Sequence, residues 1–418
     1  MFAWLLACVS TRAVKPDDTP TAHVDTSDTS TDTSGDTGEP ADTAPPCTPE
    51  DEEPEGDFVA MGTTLSGTLA ACEKVLHATA GPKGARLEVL VEGDVTVTAT
   101  DLLGNVLDPL VLPRAGEALL HVEAGEADTA YTIAVACAEG CDGAFTRYPV
   151  LLLHGLGGAD AFAGVSYYFG VPELLEEAGY LAFTPAVEPF ADTPTRALQL
   201  QEQLRALVEA GEGRRFNVIA HSQGGLDARY LASVLGEGDR IVSIDMVATP
   251  NHGTQVADVL YGTVEDGPVD AYWVDLGAQA FAAIYGIGED DQSLVESMGQ
   301  LTTETMAAFN DEVPDVPGIY YATWAGHSCG TLEPDCQDAH GGEVVDPLLE
   351  PLYVILWLYG MDNDGMVPVE SVAWGDYRGE IDADHADEIG QFQDLDNPAF
   401  DHVEFYLGEV ERLKGMGF

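Results

Sequence analysis

The residue types that nucleophilic catalysis needs begin with a serine held between small residues. Residues 220–224 read Ala-His-Ser-Gln-Gly, with a short apolar run before them and a helical pattern after them. A tight strand-to-helix turn of this kind lifts a serine hydroxyl clear of a sheet, and the helix N-terminus favours developing negative charge. The turn needs small side chains, which Ala220 and Gly224 supply. Since such a pentapeptide also arises by chance, its partners decide whether Ser222 is a nucleophile.

A base and an orienting acid follow Ser222 in the order that this kind of site requires. Asp364 comes after the apolar run 352–358, which we interpret as a core strand, and is followed by glycine. His385 lies further on, in an acidic loop. Either residue alone would be an ordinary loop residue, but together they predict that His385 takes the serine proton and that Asp364 orients His385.

An oxyanion created at the serine also needs backbone N–H donors. The first is expected at Gln223, directly after the nucleophile. The second is expected at Leu156, because a buried strand from residue 150 ends there in a glycine-rich loop. His154 in the same loop is expected to shape the loop rather than transfer protons.

The elements that position these residues are strands and helices that alternate from Tyr148 onward, which predicts an α/β fold with a mainly parallel sheet. Residues 194–209 have apolar residues at helical spacing, with Thr193 expected as N-cap and Pro194 at the first helical position. Residues 254–300 carry a further helical pattern at Trp273, Leu276, Ala280 and Ile284. It fits a helical lid over the site and equally an ordinary amphipathic core helix.

The N-terminal third differs in composition, and we divide the chain accordingly. Residues 1–8 are expected to be a lipoprotein signal remnant, residues 9–57 a disordered Asp/Thr/Ser-rich tether, and residues 58–142 a small all-β, sandwich-like domain. Residues 146–418 form the α/β domain, with the lid at about 254–300. The β domain is interpreted as a spacer or as a module that contacts carbohydrate or protein.

Seven cysteines are present, of which Cys8 stands apart. The preceding Leu-Leu-Ala resembles a lipobox, where cleavage before the cysteine precedes its acylation. Because the apolar stretch is short and lacks a basic segment, we expect the true start upstream, with coincidence as the alternative. The remaining six cysteines allow up to three disulfides in an oxidising compartment.

The net charge of −57, from 73 acidic and 16 basic residues, is spread along the whole chain. Such a surface repels nucleic acid, so a nucleic-acid-binding role is excluded. It fits either a salty or divalent-rich medium or a bias in lineage composition. No long apolar run predicts a transmembrane span.

At this level the chain resembles the true bacterial triacylglycerol lipases of the Pseudomonas/Burkholderia type, over about residues 148–410. The motifs that carry the resemblance are residues 148–156 (Tyr-Pro-Val-Leu-Leu-Leu-His-Gly-Leu), 220–226 (Ala-His-Ser-Gln-Gly-Gly-Leu), 248–254 (Ala-Thr-Pro-Asn-His-Gly-Thr), 301–310 (Leu-Thr-Thr-Glu-Thr-Met-Ala-Ala-Phe-Asn), 323–326 (Thr-Trp-Ala-Gly), 363–367 (Asn-Asp-Gly-Met-Val) and 385–389 (His-Ala-Asp-Glu-Ile). The resemblance implies an α/β-hydrolase fold and a Ser222–Asp364–His385 triad.

The resemblance further implies a structural Ca²⁺ ion that braces the catalytic loop. Asp387 matches one family ligand, and Asp346 is our choice for the second carboxylate, with Glu350 as the alternative. Backbone carbonyls near Gln391 and Leu395 would complete the site. The family also implies a dedicated foldase as a partner.

This sequence differs from the family in its disulfide. The second cysteine of the family's disulfide would lie after Asp364, where residues 368–377 hold no cysteine. We therefore expect Cys329 and Cys336, seven residues apart, to pair locally.

Together these features predict a serine carboxylester hydrolase, secreted or lipid-anchored on an outer surface, that acts on a lipid or ester substrate at an interface. A triacylglycerol lipase is the leading hypothesis. The alternatives are a short-chain esterase, a polyester depolymerase, or a non-catalytic surface binding protein on a hydrolase scaffold.

Overall fold

In the computed structural model, the described residues are 53–158, 166–262, 267–286, 297–391 and 399–418. The predicted anchor Cys8 and most of the predicted tether lie outside these residues, as do parts of the predicted lid. Among the described residues, no helix combines the length and apolarity needed to cross a bilayer.

The N-terminal part consists of strands packed in two sheets. β1, β3, β6 and β5 form one sheet in that order, and β2, β7 and β4 form the other. Their inner faces enclose a separate apolar core that includes Leu120, Val122 and Ile133. β1 begins within the segment predicted as tether. The bounds are β1 Glu55–Phe58, β2 Thr64–Leu69, β3 Lys74–Gly81, β4 Arg86–Glu92, β5 Val95–Thr100, β6 Gly116–Ala124 and β7 Thr129–Glu139.

The remainder is built on one parallel six-stranded sheet in the order β13-β12-β11-β10-β8-β9. β8, β10 and β11 are buried along their whole length, which explains their nearly continuous apolar sequences. The bounds are β8 Val150–Leu153, β9 Ala182–Phe183, β10 Phe216–His221, β11 Ile241–Val247, β12 Tyr320–Gly326 and β13 Asp376–Ile381.

Helices cover both faces of this sheet. The α-helices, numbered along the described residues, are α1 Val171–Ala178, α2 Thr193–Glu209, α3 Gln223–Ser233, α4 Gln255–Leu260, α5 Ala271–Tyr285, α6 Thr303–Glu312, α7 Pro334–Ala339, α8 Glu350–Leu358, α9 Val369–Val372 and α10 His402–Met416. Short 3₁₀ helices span Gly238–Arg240 and Asp387–Ile389.

Two local predictions are corrected by these bounds. The apolar run 352–358 lies in α8 rather than in a strand, because its side chains pack with α5 in a helical cluster. The N-cap of α2 is Asp192, whose carboxylate accepts the N–H of Thr195, and the predicted cap Thr193 lies inside the helix. The local pairing of Cys329 with Cys336 is confirmed, and a second disulfide joins Cys137 to Cys141.

Glu117 on β6 joins the N-terminal sheets to the part of the chain that is built on the parallel sheet. Its side chain is almost fully buried, and its carboxylate accepts hydrogen bonds from Arg147 at 2.7 Å and from Arg214 at 3.1 Å. Arg147 also lies over the ring of Phe58. A carboxylate shared by two guanidinium groups is costly to leave unpaired, so this contact stabilises the junction.

We expect Glu117→Gln to lower the free energy of unfolding by about 1–3 kcal/mol, since Arg147 loses its partner carboxylate and Arg214 keeps only its exposed pairing with Glu55. Glu123→Gln is the matched control on the same strand, because its pairing with Lys74 is exposed and should contribute under about 1 kcal/mol. Denaturant unfolding measures both. Equal losses would contradict the assignment of Glu117 to the junction.

Candidate active site

Ser222 occupies a strained backbone position between β10 and α3. Its φ of 55° and ψ of −132° are unusual for a residue with a side chain. The position is held by the Ser222 N–H donating to the carbonyl of Val247 at 2.9 Å and by the Thr249 hydroxyl donating to the Ser222 carbonyl at 2.8 Å. This is the turn that the sequence predicts, at the carboxyl end of a central parallel strand.

Close backbone approach explains the glycines around the serine. A Cβ on Gly224 would lie 2.6 Å from the carbonyl oxygen of Leu153 and 2.8 Å from that of His154. The constraint on Gly224 therefore comes from the end of β8, whereas the sequence argument placed it at Ala220. A Cβ on Gly155 would lie 2.6 Å from the Cβ of Ser222.

Ser222, His385 and Asp364 form a continuous hydrogen-bonded chain. Nε2 of His385 lies 3.0 Å from Oγ of Ser222, and Nδ1 of His385 lies 2.8 Å from Oδ2 of Asp364. All three side chains are buried. With Nδ1 donating its proton to the carboxylate, Nε2 carries the lone pair that can accept the serine proton.

The carboxylate of Asp364 is also oriented by hydrogen bonds other than the one to His385. Its Oδ1 accepts the backbone N–H groups of Met366 at 2.8 Å and Val367 at 2.6 Å. Although α8 precedes this loop, the Ser328 N–H donates to the carbonyl of Asn363 at 3.0 Å and docks the loop beside the end of β12. The acid thus lies at the carboxyl edge of the sheet by a tertiary contact.

The two predicted oxyanion donors lie on either side of the serine. Gln223 begins α3, and Leu156 follows the buried strand β8 and lines the pocket beside His385. Within the part of the chain that the structure describes, neither backbone N–H donates to another protein atom. Both groups therefore remain available for a substrate oxygen.

The loop that carries Leu156 is held by a buried arginine that the sequence reading missed. Arg196 on α2 donates to the carbonyl of His154 at 2.7 Å and to the carboxylate of Asp227 at 2.7 Å. Burial and the nearby guanidinium lower the pKa of His154 to about 4. Neutral His154 accepts the Val187 N–H at Nε2 and donates from Nδ1 to the Gly155 carbonyl, so it shapes the loop as predicted.

A second buried network lies behind His385. Nε2 of His221 is 2.6 Å from Oε2 of Glu388, and Nδ1 of His221 is 2.8 Å from the hydroxyl of Tyr167. Burial lowers the pKa of His221, whereas burial and the carboxylates of Asp364 and Asp384 raise the pKa of Glu388. Both directions favour an uncharged pair in which Glu388 donates to His221. Oε2 of Glu388 also lies 3.6 Å from Nδ1 of His385.

Sequence reading could have found Glu388 by its spacing alone, because it follows His385 by three residues in a helical turn. The packing of Glu388 also explains the glycine in the pattern Trp-Ala-Gly at 324–326. A side chain at Gly326 would collide with the carboxylate of Glu388 and with the Cβ of Asp364. Only a glycine at this position lets β12 end against both acids.

An apolar pocket opens beside His385, and α5 supplies part of its wall. Ile284 and Tyr285 of α5 line it with Leu156, Leu349 and Met366. Tyr285 packs against the backbone of Gly157 and stacks edge-on with Phe190 at 5.9 Å between ring centroids. The predicted stripe on this helix is confirmed at Ala280 and Ile284, which are buried, while Trp273 and Leu276 are half-buried.

A group of three buried carboxylates lies beside the catalytic loop. One oxygen each from Glu343, Asp384 and Asp387 lies within 4.8 Å of the others. Asp346, predicted as the upstream ligand, is not in this group. Its carboxylate instead accepts the N–H of Leu348 at 2.7 Å in the turn before α8. The backbone N–H of Asp346 donates to Oδ2 of Asp384 at 2.7 Å, so Asp346 lies next to this group, and Glu343 is a further candidate for the upstream carboxylate.

The chemistry of this group fits a hard cation. Burial raises the pKa of Asp384 to about 6, since backbone N–H donors only partly offset the loss of hydration. Clustered buried carboxylates are unfavourable unless a cation balances them, and carboxylate oxygens are the ligands that Ca²⁺ prefers. The alternative Glu350 bonds the hydroxyl of Thr331 at the surface. Of the expected carbonyl ligands, Gln391 is described and Leu395 lies outside the described residues.

This chain is similar to known proteins. A model of the alpha/beta hydrolase fold family matches residues 148–266. The triacylglycerol lipase of Pseudomonas fragi is 31% identical over 297 residues, covering 66% of this chain and 99% of the relative. The chain belongs to the triacylglycerol lipase family of α/β hydrolases. The predicted fold class and the predicted resemblance are thereby confirmed.

Other known proteins are also similar to this chain. A triacylglycerol lipase of Vibrio cholerae is 28% identical over 291 residues, which is 65% of this chain and 89% of the relative. Among solved structures, the mature lipase of Bacillus licheniformis is 20% identical with a TM-score of 0.47, covering 64% of this chain and 92% of that chain. The family is one of serine ester hydrolases, which makes this chain an enzyme of that class.

We expect Gly155→Ala to reduce esterase activity by at least about 100-fold, because its methyl group would displace Ser222 and the oxyanion loop. Gly408→Ala is the matched control, since nothing lies near its added methyl group and alanine favours the helix. Steady-state kinetics and thermal melting should be measured on both. Full activity of a folded Gly155→Ala variant would contradict the close approach.

Proposed function

We propose that this protein is a triacylglycerol lipase that cleaves carboxylic esters through an acyl-enzyme on Ser222. The observation that carries the proposal is the buried hydrogen-bonded chain from Ser222 through His385 to Asp364. Membership in the lipase family supports the acylglycerol substrate.

In the proposed mechanism, Nε2 of His385 removes the Ser222 proton as Oγ attacks the ester carbonyl carbon. The carboxylate of Asp364 stabilises the resulting imidazolium. That imidazolium then protonates the departing alcohol, so the carbonyl re-forms as an acyl-serine. A water molecule, deprotonated by His385, hydrolyses the acyl-serine and releases the fatty acid.

The tetrahedral intermediate carries a negative oxygen that needs two donors. The N–H groups of Gln223 and Leu156 are proposed for this role, because each lies beside the serine on a rigid element. Loss of one such donor typically costs about 10²–10³ in rate. Arg196 supports the Leu156 donor by holding the preceding carbonyl of His154.

The helix α5 is proposed to act as the lid of the site. Its residues Ile284 and Tyr285 close over the pocket, and its outer face carries an exposed Tyr272 beside Trp273. An amphipathic helix with aromatic residues on its outer side is suited to a lipid–water interface. Movement of α5 toward lipid would open the apolar pocket to an acyl chain.

A Ca²⁺ ion is proposed at Glu343, Asp384 and Asp387. Asp387 lies two residues after His385, and the Oδ1 of Asp384 accepts the N–H groups of Ala386 and Asp387. An ion held by these residues would supply positive charge that keeps the catalytic loop in place. The protein's own residues perform every step of ester cleavage.

We also propose a location, a partner and a medium for the protein, each from a different feature. Disulfides support an extracytoplasmic location, secreted or lipid-anchored at Cys8 on the outer surface. A dedicated foldase is proposed by family analogy. The negative surface supports action in a salt-rich or divalent-rich medium.

The lipase proposal predicts hydrolysis of long-chain esters with a gain in rate at an interface. The measurement is a series of p-nitrophenyl esters of increasing chain length, with and without an emulsion. Activity confined to short soluble esters, without interfacial gain, would favour the esterase alternative. Release of monomers from polyester film with no triacylglycerol hydrolysis would favour the depolymerase alternative.

Within this series, we expect Ser222→Ala to lower kcat on the order of 10⁶-fold, because no nucleophile remains. Ser371→Ala is the matched serine control, since it lies outside the triad and bonds the backbone of Gly253. Residual activity of Ser222→Ala close to wild type would contradict the acyl-enzyme mechanism.

The calcium proposal predicts that chelation lowers the melting temperature. Calcium at 100-fold its Kd should contribute about 2.7 kcal/mol to the stability of the native state. Asp387→Asn should remove most of this response, whereas Glu350→Gln should keep it, because the Glu350 carboxylate instead accepts the hydroxyl of Thr331 at the surface. An unchanged melt on chelation, or equal effects of the two variants, would contradict the site.

A further inference from the structure

A cluster of imidazoles and sulfur lies apart from the catalytic histidine. One ring nitrogen each of His327 and His340 and the Sγ of Cys336 lie within 4.8 Å of one another. The two imidazole rings pack against each other at an interplanar angle of 37°, with centroids 3.9 Å apart. Cys336 is bonded to Cys329, so the sulfur of Cys329 is adjacent as a fourth ligand atom. Over residues 327–340 the sequence reads His-x-Cys-x₆-Cys-x₃-His.

Both imidazoles are oriented by carboxylates in the manner of metal ligands. Nδ1 of His327 lies 2.7 Å from Oε2 of Glu380, and Nδ1 of His340 lies 2.7 Å from Oδ1 of Asp382. When Nδ1 donates its proton to a carboxylate, the lone pair is on Nε2. A carboxylate–histidine pair of this kind fixes the ring and raises its basicity toward a metal.

The backbone brings the four residues together from two directions. His327 directly follows β12, and its N–H donates to the carbonyl of Ile381 at the end of β13. Cys336 and His340 are four residues apart on and after α7, which puts them on one side of that helix. His327 is mostly buried, and His340 is partly exposed, so an ion has access from solvent.

We propose that His327, Cys329, Cys336 and His340 form a tetrahedral Zn²⁺ site when the Cys329–Cys336 disulfide is reduced. Two thiolates and two imidazoles are the donor set of structural zinc sites. The site differs in chemistry from the carboxylate group at Glu343, whose oxygen ligands select hard cations.

The redox step balances with a dithiol as reductant. The dithiol gives two electrons and two protons, the S–S bond breaks, and the dithiol becomes a disulfide. Zinc then replaces the two thiol protons, which pass to solvent, and two Zn–S bonds form. In the reverse direction a small disulfide accepts two electrons from the thiolates and two protons from solvent, the Cys329–Cys336 bond re-forms, and the ion is released.

Zinc binding would replace the disulfide by a cross-link that joins more residues, close to the loop that carries His385. The disulfide joins only residues 329 and 336, whereas the ion would also hold His327 at the end of β12. Through Glu380 and Asp382, the liganding histidines are hydrogen-bonded to the segment that leads to His385. The enzyme would therefore keep its active-site loops fixed in either redox state.

The test measures zinc bound by the whole chain after reduction with a phosphine, which donates the same two electrons without chelating zinc. Millimolar calcium is present throughout, so that surface carboxylates bind calcium rather than zinc. We expect one zinc per chain by elemental mass spectrometry, with at least about tenfold weaker binding by the oxidised protein. Cobalt in place of zinc should give the charge-transfer and visible bands of tetrahedral thiolate coordination.

A double variant, His327→Ala with His340→Ala, is the matched control because it retains every cysteine, including Cys137 and Cys141. We expect it to lose the bound zinc. Glu380→Gln keeps all four ligands and has an exposed side chain, and we expect about 10–100-fold weaker zinc binding.

Three results would overturn the proposal. The first is that the reduced wild-type protein binds no zinc at micromolar metal. Unfolding of the reduced protein despite added zinc, seen as loss of its near-ultraviolet circular dichroism, counts as the same result. The second is undiminished zinc in the double histidine variant. The third is unchanged affinity in Glu380→Gln. None of these measurements depends on ester hydrolysis, so their failure and failure of the lipase proposal are distinguishable.

Discussion

The strained backbone of Ser222 is the constraint on which the rest of the site depends. A residue with a side chain at φ 55° and ψ −132° costs about 1–3 kcal/mol, which the surrounding structure must offset. It does so through Val247 at the end of β11 and Thr249 just after it, which bond the serine backbone, and through the glycine at 155, which lets the β8 loop approach. The proposed oxyanion donors and the histidine are then arranged around a serine that has little freedom to move.

Local sequence patterns were sufficient to predict the parts of the site that lie within short segments of the chain. The turn at 220–224 and the order of Ser222, Asp364 and His385 follow from steric and chemical needs that short segments express. The fold class followed for the same reason, because strands and helices alternate with clear periodicity. Ser222 and His385 follow parallel strands that end at the same edge of the sheet, whereas the Asp364 loop follows a helix and reaches that edge through the contact of Asn363 with Ser328.

What the sequence could not predict depends on contacts between distant segments. The run 352–358 is apolar enough for a strand or a helix, and only its packing against α5 decides for the helix. Glu343 lies three residues before Asp346 in a chain crowded with carboxylates, and only the tertiary structure shows that it lies beside Asp384 and Asp387. Arg196 reads as an ordinary helix residue, yet its buried guanidinium holds the oxyanion loop from 42 residues away.

The central claim is that Ser222 is a nucleophile activated by His385, and covalent labelling tests it most directly. A fluorophosphonate probe, followed by peptide mass mapping, should place one adduct on the peptide that contains Ser222. His385→Ala should slow labelling by several orders of magnitude while the protein stays folded. Folded wild-type protein that takes no label, or an adduct on another residue, would contradict the account and favour a binding protein on a hydrolase scaffold.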